Sequence, residues 1–175
     1  MLQHGARSNR QGPQKSQLLF KVKIMNDCIF CKIVKKEIPS VKIWEDKKFL
    51  AILDLFPSTK GMTVVLPKKH FNSDAIEMDD KNYKDFFIAA KKVAIFLKKG
   101  LKVNRIAMVM EGMGVGHAHI KLYPLHGVGP KFKTVWAKKE VFSDKYQGYL
   151  TTQVGPRADL KKLEKLSKII KAKNK

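Results

Sequence analysis

The stretch His117-Ala118-His119-Ile120-Lys121-Leu122-Tyr123 alternates polar and apolar side chains along its whole length. Such alternation predicts a β-strand over residues 117–123, because successive side chains of a strand point to opposite faces. The apolar set should face a core, and His117, His119 and Lys121 should share the other face. Gly114 and Gly116 precede the strand, and this glycine-rich link can bring bare backbone N–H groups close to phosphate oxygens. The combination predicts a site that binds an anion.

Further strand-like and helical patterns lie on both sides of this stretch. Short apolar runs bounded by charged or turn residues predict strands at 41–45, 49–53, 62–67 and 105–111. Helical spacing of apolar residues predicts a long helix at 79–99, with Asp79 and Asp80 at its start and Gly100 closing it. These patterns predict an α+β fold: a five-stranded antiparallel meander sheet, with the long helix on one face and the other face available for a ligand.

A second, basic helix is predicted near the C-terminus. Pro156 and Asp159 introduce it, and an apolar stripe runs along it, formed by Leu160, Leu163, Leu166, Ile169 and Ile170. We expect this stripe to pack on the domain or on a second subunit. The chain would then divide into a disordered basic N-terminal extension (1–26), one domain (27–130) and a C-terminal extension with this helix (131–175).

The net charge of the chain is +21, and about half of the excess lies in residues 1–26 and 151–175. Such a field attracts nucleotides, nucleic acid or anionic surfaces without identifying a ligand. Nucleic acid is therefore a candidate partner through the basic ends. No apolar run of about 18 residues could span a bilayer, so a membrane partner is not expected.

Cys28 and Cys31 are the two cysteines of the chain. Their Cys-x-x-Cys spacing argues against a disulfide-stapled secreted scaffold at this length. Metal chelation and a redox pair are both open for these thiols, since both use this spacing. We expect a cytoplasmic location, although residues 1–24 resemble a weak organelle-targeting peptide and Met25 is an alternative start.

Residues 27–127 resemble the histidine-triad (HIT) family, whose hallmark is three histidines alternating with apolar residues at the end of a nucleotide-binding sheet. Three segments are similar to family motifs and occur in the family's order: CIFCKIVKKEIPS (28–40), LDLFPSTKG (53–61) and VVLPKKH (64–70). The resemblance implies that His119 is a nucleophile that takes a nucleoside monophosphoryl group and passes it to water. His117 and Lys121 would complete the catalytic group.

The resemblance also implies the residues around a nucleotide and a metal. Asp54 would accept hydrogen bonds from the ribose hydroxyls, with Phe30, Ile52 and Leu55 around the base. Ile52 and Leu55 can equally be core residues, because apolar residues beside a strand end are usually buried. A structural zinc ion would be bound by Cys28, Cys31, His70 and His117. Family members are often homodimers that pair through the long helix and an adjoining strand, and we expect the same here.

Two departures from the family pattern affect the predicted chemistry. Lys121 stands where the third histidine is expected, and Met110 stands where an asparagine is usual. A lysine can bind phosphate as a cation, but at neutral pH it cannot accept a proton. We favour a hydrolase or nucleotidyl transferase acting on dinucleoside polyphosphates or nucleoside phosphoramidates through a covalent His119 intermediate. A nucleic-acid-linked deadenylase and a nucleotide-binding module with weakened catalysis are the alternatives.

Overall fold

The computed structural model describes residues 27–135 and 157–174. A five-stranded antiparallel sheet lies at its centre, which confirms the predicted α+β class. The strands are β1 (Lys42–Glu45), β2 (Phe49–Leu53), β3 (Thr63–Pro67), β4 (Ile106–Val109) and β5 (Ile120–Pro124). The predicted N-terminal extension (1–26) and Pro156 lie outside the described residues.

The strand order is β1-β2-β3-β5-β4, so the last two strands exchange places relative to a sequential meander. After β3 the chain passes through a long helix and returns at the far edge of the sheet as β4. The glycine-rich link then turns back, with positive φ at Gly112 and Gly114, a conformation that glycine adopts without side-chain clashes. As a result β5 is a central strand, paired with β3 on one side and β4 on the other.

Strand β5 begins three residues later than predicted. His117 and His119 lie in the segment that leads into the strand, so the predicted strand 117–123 was wrong at its start. The reason is that β3 ends at Pro67, which has no N–H for the ladder, and the N–H of Ala118 donates to the carbonyl of Phe71 at 3.2 Å instead. The faces still alternate as predicted, since the apolar residues of the stretch are fully buried in the main core (Ala118, Ile120 and Leu122).

The described residues include three α-helices: α1 (Ile29–Val34), α2 (Asp80–Leu101) and α3 (Leu160–Ala172). Asp79 caps α2 as predicted, because its carboxylate accepts the N–H of Asn82 at 3.0 Å. Gly100 does not close this helix, which continues to Leu101 and ends at the left-handed Lys102. No helix within 27–135 and 157–174 is long and apolar enough to cross a membrane.

Gly100 has a different role, which concerns packing against α3. A Cβ added at this position would lie 2.7 Å from the Cα of Ile170. The missing side chain therefore lets the backbones of α2 and α3 approach each other closely. The end of α2 and the last turn of α3 are held together at this point.

The buried face of α3 differs from the predicted stripe. Leu163, Ser167 and Ile170 are buried, whereas Leu160 and Ile169 are 37% and 43% exposed. Ser167 faces β1, where its hydroxyl donates to the carbonyl of Lys42 at 3.4 Å. A small side chain is needed there because the helix packs close to the edge strand.

The two faces of the sheet are covered by different elements. One face packs against α2 and α3 and forms the main core, in which Phe86, Val93 and Leu97 of α2 are fully buried. On the other face, α1 covers an apolar patch formed by Leu50, Ile52, Val64 and Leu66. The face predicted to be available for a ligand is therefore partly closed by α1, and a cavity remains beside that helix.

Candidate functional site

Four side chains meet at the edge of the sheet where β3 ends and β5 begins. Cys28 immediately precedes α1 and Cys31 lies within it, so both thiols face the same side one helical turn apart. His70 follows β3 and His117 precedes β5, and the antiparallel pairing of these strands brings the two imidazoles to one edge. We call these four residues the thiol–imidazole cluster. Their ligand atoms all lie within 4.8 Å of one another.

The distances in the thiol–imidazole cluster suit a tetrahedral metal ion. Nδ1 of His117 lies 3.4 Å from the sulfur of Cys28 and 3.6 Å from that of Cys31, and Nδ1 of His70 lies 3.3 Å from the sulfur of Cys31. Bonds of about 2.3 Å to sulfur and about 2.0 Å to nitrogen would separate such atoms by roughly 3.5 Å. The predicted ligand residues are thus brought together, and the cluster can hold a metal ion.

Hydrogen bonding and burial prepare His117 to be a ligand through Nδ1. Its Nε2–H donates to the carbonyl of Pro67 at 2.9 Å, which leaves Nδ1 unprotonated and directed at the thiols. Burial lowers the pKa of His117 to about 4. Burial and the neighbouring Cys28 raise the pKa of the Cys31 thiol to about 11. A divalent cation would reverse the effect on the thiol, because it stabilises the thiolate.

His119 is also buried, but the ring nitrogen that donates a hydrogen bond is the opposite one to that of His117. Its Nδ1–H donates to the carbonyl of His117 at 2.8 Å, since a carbonyl can only accept, and Nε2 is left unprotonated. Burial lowers the pKa of His119, and the nearby Lys121 acts in the same direction. The ring packs against Phe30, with the centroids 5.3 Å apart. A neutral imidazole with a free Nε2 is the form that can attack an electrophile.

A cavity of about 550 Å³ lies between α1 and the sheet. His119 and Lys121 line it, together with all but one of the residues predicted to bind the nucleotide, namely Phe30, Ile52, Asp54, Leu55 and Gly114. Gly116 is not among the lining residues. Ile52 is a core residue and a lining residue at the same time, because it is buried beneath α1 and also lines the cavity.

Asp54 directly follows β2, where the chain leaves the sheet. One carboxylate oxygen accepts the N–H of Phe56 at 2.7 Å, which fixes the turn after the strand. The carboxylate lines the cavity. A carboxylate with capacity for further hydrogen bonds suits a ligand that carries hydroxyl donors.

Sequence reasoning missed two contributions to this region. Glu111, just after β4, forms an ion pair with Lys121 at 3.4 Å, and their side chains are only 9% and 16% exposed. Its acidic character within a run of apolar and glycine residues is the signal that could have identified it. Arg157 and Leu160 also line the cavity. No local pattern indicates this, because the contact depends on where α3 docks.

Comparison with known proteins agrees with this geometry. Residues 35–130, more than half of the chain, match the HIT domain family. The protein hit of Bacillus subtilis is 37% identical over 115 residues, which are 63% of this chain and 79% of that protein. The adenosine 5′-monophosphoramidase of Saccharomyces cerevisiae is 31% identical over 123 residues, 67% of this chain and 75% of that protein.

A solved structure extends the likeness beyond the matched residues. The crystal structure of a Zn-bound histidine triad family protein from Mycobacterium smegmatis has a TM-score of 0.60 at 25% sequence identity. The likeness covers 85% of this chain and 94% of that one. Sequence motifs, sheet topology and these relatives agree, and the chain belongs to the histidine-triad (HIT) family.

Proposed function

We propose that this protein is a nucleotide hydrolase or nucleotidyl transferase that acts on the α-phosphate of small nucleotides through a covalent nucleotidyl–His119 intermediate. The substrates would be of the dinucleoside polyphosphate or nucleoside phosphoramidate type. The name of the yeast relative, an adenosine 5′-monophosphoramidase, supports the phosphoramidate class. The observation that carries the proposal is the hydrogen bond from Nδ1 of His119 to the carbonyl of His117, because it leaves Nε2 free to attack.

The reaction needs two displacements at phosphorus. In the first, Nε2 of His119 bonds to the α-phosphorus, the bond to the leaving oxygen or nitrogen breaks, and the leaving group takes a proton from solvent. In the second, water attacks the phosphorus and gives up a proton to solvent, the P–N bond to His119 breaks, and the nucleoside monophosphate leaves with the neutral imidazole restored. Each displacement needs stabilisation of charge on the phosphoryl oxygens.

Lys121 and the glycine-rich link are the groups that would supply this stabilisation. Both line the cavity beside His119, Lys121 as a cation and Gly114 through its backbone. Lys121 would bind the phosphoryl oxygens directly once a nucleotide competes with Glu111 for its ammonium group. Asp54 would accept hydrogen bonds from the ribose, and Phe30, Ile52 and Leu55 would enclose the base.

The metal of the thiol–imidazole cluster is, in this proposal, a structural zinc ion. Two thiols and two imidazoles form a closed tetrahedral set that leaves no position for water. Bound zinc would supply structural crosslinking, holding α1 to the edge of the sheet. His117 would act in the reaction only through its carbonyl, which orients the ring of His119.

Trapping of the intermediate tests the proposal. The protein is mixed with a nucleoside 5′-phosphoramidate, quenched in alkali, digested and examined by mass spectrometry. We expect a nucleoside monophosphate added to the peptide that contains His119, and no addition in His119→Ala. Turnover without an adduct, or an adduct on another residue, would contradict the proposal.

A second candidate function is favoured by the ion pair between Lys121 and Glu111. The carboxylate partly neutralises the cation that stands in place of the third histidine, so the protein could bind nucleotides with weakened catalysis. Calorimetry with a nucleoside monophosphate distinguishes the two functions. Micromolar binding with neither adduct nor turnover supports the binding module, whereas turnover supports the enzyme.

We also propose a homodimer that forms through α2 and the edge strand β4. Ile88 and Ile95 lie two turns apart on α2 and are 53% and 57% exposed, and Met108 on β4 is 36% exposed. Exposed apolar side chains on these two elements favour burial against a second copy. Sedimentation velocity should give a dimer for the native chain and a monomer for Ile88→Lys/Ile95→Glu; a native monomer would contradict this.

A further inference from the structure

The C-terminal segment forms part of the cavity wall, although it lies beyond residues 35–130 that match the HIT domain. Arg157, Leu160 and Leu163 line the same cavity as Asp54 and His119. We infer that Arg157 selects the nucleobase and favours 6-oxopurines such as guanine over adenine. The inference rests on the proposed function for the assumption that the ligand is a nucleotide.

Several contacts fix this segment to the body of the protein. Ile170 packs against the backbone of Gly100, and the side chain of Asn174 donates to the carbonyl of Phe96 at 2.9 Å. Asp159 caps α3 by accepting the N–H of Lys162 at 3.0 Å. The backbone of Arg157 is thus held just before the start of a well-anchored helix.

A backbone hydrogen bond ties the segment to one particular end of the cavity. The N–H of Ala158 donates to the carbonyl of Leu55 at 2.7 Å, and Leu55 follows Asp54 at the end of β2. Lys121 lies on β5, in register with Val64 of β3 and Ile52 of β2. Two strand spacings, about 10 Å, therefore separate the backbone of the phosphate-binding strand from that of β2.

Arg157 is consequently placed at the end of the cavity remote from the proposed reaction. The neighbouring lining residues at that end are largely apolar, among them Val41, Leu53 and Leu160, as expected for a pocket that takes a flat base. A charged group beside such a pocket determines which edge of the base is accepted. The end that holds Arg157 is thus the base end.

The chemistry of guanidinium determines the class of base. It carries only donors, arranged as a planar fork, and it pairs best with two adjacent acceptors. Guanine and hypoxanthine present O6 beside N7, whereas adenine presents the N6 donor beside N7. A 6-oxopurine can therefore bind both arms of the Arg157 fork, and adenine can bind only one.

The test compares guanosine and adenosine 5′-phosphoramidates with the full-length protein. We expect the native protein to favour guanosine in kcat/KM by about fivefold, the low end for a bidentate arginine–guanine pair, because Arg157 is exposed to solvent. In Arg157→Met the ratio should fall to about one, mainly through KM. Arg157→Lys should also lose the preference, since an ammonium group lacks the fork. An unchanged ratio in Arg157→Met would overturn the inference.

A matched control and a second readout keep the two proposals separate. Lys161→Met removes an exposed charge from the same segment but not from the cavity, and it should keep the native ratio. Calorimetry with GMP and AMP measures the same preference without turnover. Loss of the GMP preference in Arg157→Met would support the inference even if no reaction occurred. If the native protein turned over both phosphoramidates with equal kcat/KM, the inference would be overturned and the proposed function would stand.

Discussion

His117 and His119 stand two residues apart in the same segment, yet the structure prepares them for different chemistry. Both are buried, and burial lowers the pKa of both. His117 donates through Nε2 to Pro67 and turns Nδ1 toward the thiols, whereas His119 donates through Nδ1 to the carbonyl of His117 and keeps Nε2 free. The nearest backbone carbonyl, and not the residue type, decides which nitrogen is available.

Under the proposed function, this difference separates a structural region from a reactive one. The thiol–imidazole cluster lies at the edge of the sheet, and its donors face each other. The cavity lies beside it and is lined by His119, Lys121 and Asp54, which face a space large enough for a ligand. The carbonyl of His117 joins the two regions, so order in the cluster fixes the ring of His119.

The largest expected effect comes from removing the free imidazole. His119→Ala should lower turnover by at least about a thousandfold, because it removes the group proposed to form the covalent intermediate. Zinc content should be unchanged, since the four cluster residues remain. Steady-state kinetics and elemental analysis of the same sample check both parts. Loss of the metal in His119→Ala would contradict the division between His117 as a metal ligand and His119 as a nucleophile.

The next largest effect is expected from removing a ligand of the thiol–imidazole cluster. Cys31→Ser should abolish stoichiometric zinc binding and lower the free energy of unfolding by more than about 2 kcal/mol, because metal binding stabilises only the folded state. Denaturant titration with and without a chelator measures the loss. Ala89→Gly, in α2 and away from both regions, is a control that destabilises without removing a ligand. If native protein and Cys31→Ser were equally sensitive to chelator, the structural assignment would be contradicted.

Variants of the Lys121–Glu111 pair sharpen the account of the reactive region. Lys121→Met should raise KM about tenfold or more by removing the cation that binds phosphoryl oxygens. Glu111→Gln should have the opposite sign and lower KM, since it removes the anion that competes for the lysine. Lys121→His should restore most of the lost activity. If Lys121→Met and Glu111→Gln both raised KM, the pair would act only in folding.

The smallest effect is expected far from both histidines. Gly100→Ala places a Cβ 2.7 Å from the Cα of Ile170 and should cost about 1.5 kcal/mol of unfolding free energy as α3 shifts. Zinc content and the trapped adduct should persist, while KM rises as Arg157 and Leu160 move. Thermal unfolding measures the loss of stability, and steady-state kinetics measures KM. An unchanged KM would contradict a role of α3 in ligand binding.

Local patterns in the sequence were enough to predict the five strands and the long helix, but not the order of the strands in the sheet. The resemblance to the HIT family supplied most of the predicted site residues, and seven of the predicted site residues line the cavity. Alternation along 117–123 predicted which side chains face the core, because that depends only on the strand period. The start of β5 was misplaced, since it depends on Pro67 in a neighbouring strand. Gly100 was read as a helix stop because close approach by Ile170 is a tertiary feature. The contribution of Arg157 was missed for the same reason, since its contact depends on where α3 docks. Glu111 was missed although its acidic character within an apolar and glycine-rich run was a local signal.

A crystal structure with a bound nucleoside monophosphate would show whether His119 is placed to attack the α-phosphorus. The account predicts the α-phosphorus about 3–3.5 Å from Nε2 of His119, in line for attack, with Nδ1 still bonded to the carbonyl of His117. Metal bound by all four cluster residues should be present in the same crystal. A phosphorus atom far from that nitrogen, or metal coordinated by His119, would contradict the account.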